Sequence, residues 1–154
     1  MYPLIETFRA ALRNAEHTNG GMSSSGSMSL SESDEDHTST IRHCFSEFIS
    51  FAQEFYIMLQ STLQTLEGNA SNMSGRPMPP RWHRCIGIMG DLARYRWLHK
   101  LDEFSPASTD WLVVARKFYR EAIDLGPGNG KMYNQLALLS GSQDLEALYY
   151  YSKR

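Results

Sequence analysis

The sequence predicts an all-α protein, an antiparallel helical bundle. Three observations carry this. Apolar residues recur at three- and four-residue steps in each ordered stretch. No segment alternates polar and apolar like a strand for a useful length. Clusters of Gly, Ser, Asn and Pro separate the periodic stretches at turn-forming positions.

The first helix is expected from about Pro3 to Glu16, with Leu4, Phe8, Ala11, Leu12 and Ala15 on one face and Pro3 suited to a first turn. Residues 17–40 are Gly/Ser-rich and then acidic, with almost nothing to bury, and read as a disordered insertion. A long second helix follows from about Thr40 to Glu67. Its stripe of Ile41, Phe45, Phe48, Ala52, Phe55, Leu59, Leu63 and Leu66 reads as the core face of a bundle helix. Residues 68–80 form a second flexible insertion. The third helix, about Arg81 to Leu101, carries Cys85, Ile88, Met89, Leu92, Tyr95 and Leu98 or His99 on its buried side. Gly87 and Gly90 lie in its interior. Each glycine weakens a helix by about 1 kcal/mol relative to alanine, so the pair predicts close approach of another helix. A fourth helix runs from about Thr109 to Leu125 and stops at Gly126-Pro127-Gly128. Two more follow, Lys131 to Ser140 and Asp144 to Arg154. The pattern breaks off at YYYSKR, which reads as part of a longer helical domain.

Composition narrows the function classes. The 154 residues are 42% hydrophobic, enough for one domain or part of one, and the net charge is -2, which gives no global support to nucleic-acid or membrane binding. No apolar run approaches the ~20 residues that span a bilayer. The N-terminal stretch holds Glu6 and Arg9 within its apolar pattern and has no small-residue cleavage site, so it does not read as a secretory signal. Cys44 and Cys85 lack metal-ligand spacing and are expected to be buried free thiols. The five histidines form no metal spacing, and no nucleophile, metalloprotease or phosphate-loop motif is present, so no cofactor and no enzyme activity are expected.

Residues 81–154 carry a tetratricopeptide signal. Ala115, Tyr119, Ala122 and Pro127 keep the Ala, aromatic, Ala and Pro steps of that repeat's second helix. The alanines let two helices approach, and the aromatic fills the hole between them.

Two strings are more specific. Gly90-Asp91-Leu92-Ala93-Arg94-Tyr95-Arg96 and Asn129-Gly130-Lys131-Met132-Tyr133-Asn134-Gln135-Leu136-Ala137, followed by Tyr149-Tyr150-Tyr151, resemble the N-terminal domain of the telomerase-associated Est and nonsense-mediated-decay SMG proteins. The resemblance is firm over 82–154 and weak over 3–66. It implies a 14-3-3-like fold with tetratricopeptide-type helix pairs, in a single partial domain spanning 1–154. It also implies a phosphoserine/phosphothreonine-peptide-binding adaptor of messenger RNA surveillance, present in cytoplasm and nucleus. The implied partners are a phosphorylated decay helicase and a related family member. Its telomerase branch implies instead a nucleic-acid-associated subunit, for which Arg81, Arg84, Arg94 and Arg96 would form a basic face. A third reading is a phosphate-independent helical scaffold.

The resemblance maps the phosphate-binding Arg-Tyr pair onto Arg94 and Tyr95, with Asn134 on a neighbouring helix holding the peptide backbone. The chemistry suits the mapping. A phosphoserine brings about −1.5 to −2 charges and three acceptor oxygens, and a guanidinium grips two of them in a planar fork. Without the resemblance, Arg94 reads as a salt-bridged residue paired with Asp91 at i,i+3. Arg96 reads as a surface salt bridge. The family adds a second basic residue from an earlier helix. That place here holds Tyr2-Pro3, so the second cation comes from Arg9, from upstream of Met1, or not at all.

Overall fold

A computed structural model of the chain describes residues 1–20, 31–70, 80–101, 109–141 and 144–153. They form six helices: α1 (Tyr2–Gly20), α2 (Ser31–Ala70), α3 (His83–Leu98), α4 (Trp111–Leu125), α5 (Gly130–Leu139) and α6 (Asp144–Lys153). No strand occurs among the described residues. Each helix packs on its neighbour in sequence, from α1 to α6. The α3–α4 pair is antiparallel. His83 meets Ala122, Gly90 meets Tyr119 and Arg96 lies over Trp111, so the contacts climb one helix as they descend the other. The α1–α2 pair runs the same way, from Phe8–Phe48 at one end to Glu16–Arg42 at the other.

Two apolar clusters share α3. Ile5, Leu12, Phe45, Ile49, Ala52, Met89, Leu92 and Tyr95 join α1, α2 and α3. Ile86, Ala93, Ala115, Tyr119, Ala122, Met132, Leu136 and Leu139 join α3, α4 and α5. α3 is therefore buried on nearly all sides, and polar residues on it must find partners inside the protein. Two short side chains make the second cluster possible. Ala115 and Ala122 are fully buried around the fully buried Tyr119, as the repeat pattern expects. Ala122→Leu should therefore lower stability by about 1–3 kcal/mol through overpacking, read as a shift in the urea midpoint; an unchanged midpoint would mean that α3 and α4 are not held this closely.

The helix ends follow from local chemistry. Asp110 caps α4, its Oδ1 accepting from Leu112 N at 3.1 Å and Val113 N at 3.3 Å. Asn129 caps α5 by accepting from Lys131 N at 3.2 Å. α3 ends in a Schellman arrangement, with Leu101 N donating to Arg96 O and Lys100 N to Trp97 O, and Lys100 takes the left-handed position at φ 49°.

Several expectations are corrected. α1 and α2 extend into the stretch read as an insertion, to Gly20 and from Ser31, and α2 runs on to Ala70. Residues 21–30 and 71–79, the rest of the two expected insertions, lie outside the described residues. Once nucleated, a helix adds residues at little cost even past its apolar stripe. Ile5 rather than Leu4 is the buried residue of the first turns of α1. Cys85 is buried, but Cys44 is exposed. The α2 stripe is a core face only in its first part: Phe55 and Leu66 are exposed. The 40 residues of α2 outrun the 19 of α1, and near its far end the chain entering α3 meets it through a polar contact, Arg81 N donating to Glu67 Oε1 at 2.8 Å. Leu98 is also exposed, and Arg96, expected at the surface, is buried. Arg96 donates to Gln53 Oε1 at 3.2 Å and to Ser46 Oγ at 3.3 Å, contacts Ser50 Oγ, and lies 4.9 Å over the Trp111 ring. It ties α2, α3 and α4 together.

Candidate functional site

The Gly-Asp-x-x-Arg-Tyr string sits at the middle of α3, where α1, α4 and α5 meet it. Asp91 is 2% exposed, a carboxylate that must be compensated. Its Oδ1 accepts from Tyr119 Oη at 2.7 Å, and its Oδ2 accepts from Tyr2 Oη at 2.7 Å and Lys131 Nζ at 3.3 Å. One carboxylate thus fastens the start of α1, the middle of α4 and the start of α5 to α3. Burial first, and then the bond to Asp91 and its charge, push the Tyr2 hydroxyl well above the usual phenol range, so it stays a donor. Burial and the Asp91 charge do the same to Tyr119.

Arg94 lies one turn further along α3. Its Nε donates to Tyr119 Oη at 3.3 Å, and its Cζ is 4.5 Å from the centre of the Tyr95 ring. Asp91 Oδ1 is 4.0 Å from Arg94 Nη2, at the outer limit of an ion pair. The aspartate is committed to two hydroxyls and Lys131 rather than to the arginine fork. Burial opposes the Arg94 charge, but Tyr119, Tyr95 and Asp91 together outweigh it and raise the guanidinium above its ordinary value.

Tyr95 is buried in the first core cluster and serves as a platform. Arg9 from α1 approaches the same ring, its Cζ 6.0 Å from the centre, and the His99 ring stacks on Tyr95 at 6.5 Å. Arg9 Nη1 pairs with Glu6 Oε1 at 2.7 Å. The cations converge strongly enough to be felt at His99. Its pKa is lowered, first by burial and then by Arg9, Arg94 and Arg13, with Glu16 opposing. The site is locally basic although the chain carries a net charge of -2.

A histidine with a lowered pKa in the fold is protonated first in the unfolded chain. Stability should therefore fall as the pH drops below the ordinary value near 6.5, until His99 itself titrates. The melting temperature of the parent should fall more between pH 7.5 and 5.5 than that of His99→Phe, which keeps a ring against Tyr95 and Phe45. Parallel pH slopes would show that the His99 pKa is not lowered in the fold.

Of the residues expected at the site, Arg94 and Tyr95 are in direct contact. Asn134 is half-buried on α5, three residues past Lys131 and so on the same side of that helix. Among the described residues it bonds to neither Arg94 nor Tyr95; Lys131 makes the link from α5. Arg9, from an earlier helix, lies near the same ring while paired with Glu6. Sequence reasoning missed Lys131, and it read Tyr119 only as a packing residue. A lysine opening a helix and a tyrosine in a phenylalanine position were the available signals.

With this geometry in hand, residues 115–153, from α4 to α6, match the model of the Est1 DNA/RNA binding domain. The chain is 39% identical over 71 residues to the nonsense-mediated mRNA decay factor SMG5 of Danio rerio, covering 45% of this chain and 6% of that protein. It is 40% identical over 72 residues to the telomerase-binding protein EST1A of Danio rerio, covering 46% and 4%. It is 37% identical over 71 residues to the decay factor SMG7 of the same organism, covering 45% and 5%. The chain therefore spans only a small part of the length of these relatives. No solved structure matches it. The resemblance to the Est and SMG proteins holds over nearly half of the chain, and the matched segment includes the NGKMYNQLA string and the tyrosine run.

Proposed function

We propose that this chain, Est/SMG-like over nearly half its length, is a phosphoserine/phosphothreonine-peptide-binding module of a messenger RNA decay adaptor. The observation that carries the reading is the approach of Arg94 and Arg9 to one buried ring, with Lys131 nearby and the Asp91 carboxylate 4.0 Å from one nitrogen of the Arg94 fork. A phosphate dianion entering between the two guanidiniums would take over from Glu6, which now pairs with Arg9 at 2.7 Å, and would meet an Arg94 side chain already largely dehydrated. The Asp91 network holds Arg94 in place through Tyr119 and does not compete for its fork. Binding of this kind needs no catalytic group. The partner would be a phosphorylated protein of the decay machinery, a helicase by the resemblance, with a related family member as a second partner and with cytoplasm and nucleus as the working compartments.

A nucleic-acid reading has one specific observation behind it, the match to a domain described as DNA/RNA binding. Both ligands bring phosphates, so salt sensitivity does not separate them. Anisotropy titrations with a phosphoserine peptide, its unphosphorylated twin and a single-stranded RNA of equal charge do. The proposal expects at least tenfold preference for the phosphopeptide over both. Equal binding of the two peptides refutes it, and preference for the RNA puts the nucleic-acid reading in front.

A further inference from the structure

A cavity lies next to two of the residues that bind Asp91. Tyr2 and Lys131, both bound to Asp91 Oδ2, form the rim of this cavity of about 240 Å³. Gly87 and Ile88 of α3, Ala122 of α4 and Met132 of α5 give it an apolar lining, and Asn129 and the exposed Arg84 line it as well. The walls call for an apolar occupant. Among its polar lining, the buried His83 Nε2 is already bonded to the Ala122 carbonyl oxygen at 2.8 Å. Gly87 lets Met132 pack closely on α3: a Cβ there would lie 3.2 Å from both Sδ and Cε of Met132, so alanine would push the methionine and reshape the cavity wall. The methionine itself is an adaptable wall that can close on differently shaped apolar groups.

Charge and spacing connect this cavity to the phosphate site. Asp91 offers one negative charge and its two oxygens already accept two hydroxyls, yet Arg94 and Lys131 flank it on opposite oxygens and Arg84 adds a third positive charge. The surplus favours an acidic ligand along the whole rim. Arg94 and the mouth of the cavity stand on the two sides of a single carboxylate. An extended chain advances about 3.3–3.6 Å per residue, so two or three residues bridge them.

We propose that the cavity is a second subsite for the same peptide. It takes one leucine-, methionine- or phenylalanine-sized side chain two or three residues from the phosphoserine, with an acidic residue beside it at Lys131 and Arg84. This rests on the phosphopeptide reading above and adds sequence selectivity to it. Phosphate supplies the charge, and the apolar side chain sets the register of the peptide.

The test uses the full chain and a set of phosphoserine peptides in an alanine background. A single leucine is moved from three residues before the phosphoserine to three residues after it, and each peptide has an unphosphorylated twin. One leucine position, two or three residues away, should tighten binding about tenfold over the all-alanine phosphopeptide, the gain expected from burying one such side chain. Gly87→Ala should remove that preference. Arg84→Glu, at an exposed position, should remove any preference for glutamate over glutamine beside the leucine. Phosphate-dependent binding that is equal at every leucine position overturns the subsite and leaves the phosphate reading intact. Binding that ignores phosphate overturns both.

Discussion

Gly90→Ala should destabilise the protein by about 2–4 kcal/mol, although alanine is the better helix former by about 1 kcal/mol. The added Cβ would lie 2.7 Å from Cε1 and 2.8 Å from Cδ1 of Tyr119. That ring cannot step aside. It is fully buried, and its hydroxyl is held by Asp91 at 2.7 Å and Arg94 at 3.3 Å. Either α3 and α4 move apart, at the usual cost of strain in a packed core, or Tyr119 shifts and leaves the buried Asp91 short of a donor, a loss of about 1–3 kcal/mol. Native stability is only about 5–15 kcal/mol in total, so the urea midpoint should move clearly. Gly128, where an added Cβ meets nothing within 4 Å, is the control and should tolerate alanine. A Gly90→Ala protein as stable as the parent would contradict the close α3–α4 approach on which the site depends.

Arg94→Glu should weaken phosphopeptide binding by well over tenfold. Charge-assisted hydrogen bonds contribute about 1.5–3 kcal/mol each, and the substitution also turns an attraction into a repulsion. It will not leave the fold untouched. The arginine side chain is only 18% exposed and bonded to Tyr119, and a glutamate there would stand beside the buried Asp91. Arg94→Gln separates the two effects, since it keeps hydrogen-bond donors and adds no charge. It should bind weakly yet melt close to the parent. Strong binding by Arg94→Gln would mean that Arg94 is a structural residue.

The helices and the short-residue contacts were legible in the sequence because they depend on local periodicity. Ala115, Tyr119 and Ala122 fall where the repeat places them, and Gly90 marks a close approach. Long-range polar partnerships leave no such trace. Arg96 looked like a surface residue because its partners Ser46, Ser50 and Gln53 lie on another helix more than 40 positions away. Asp91 does pair with Arg94 at i,i+3, at 4.0 Å, but its shorter bonds reach Tyr2, 89 positions away, and Lys131, 40 positions away. The exposed end of α2 was read as core because an apolar stripe states what can be buried, not the length of the neighbour that buries it. At the site, Arg94 and Tyr95 were legible as neighbours in the string. Arg9 was one of three open possibilities for a second cation, because its approach to the Tyr95 ring depends on how α1 packs, which the sequence does not state.

In the proposed function, Arg9 and Arg94 jointly make the site phosphate-selective. The direct measurement is the ratio of affinities for a phosphopeptide and its unphosphorylated twin in the parent, Arg9→Ala, Arg94→Ala and the double variant. The ratio should fall in each single variant and approach one in the double variant. The two losses should not add, because both guanidiniums flank one ring and would share one phosphate. A double variant that still prefers the phosphopeptide as strongly as the parent would contradict the account.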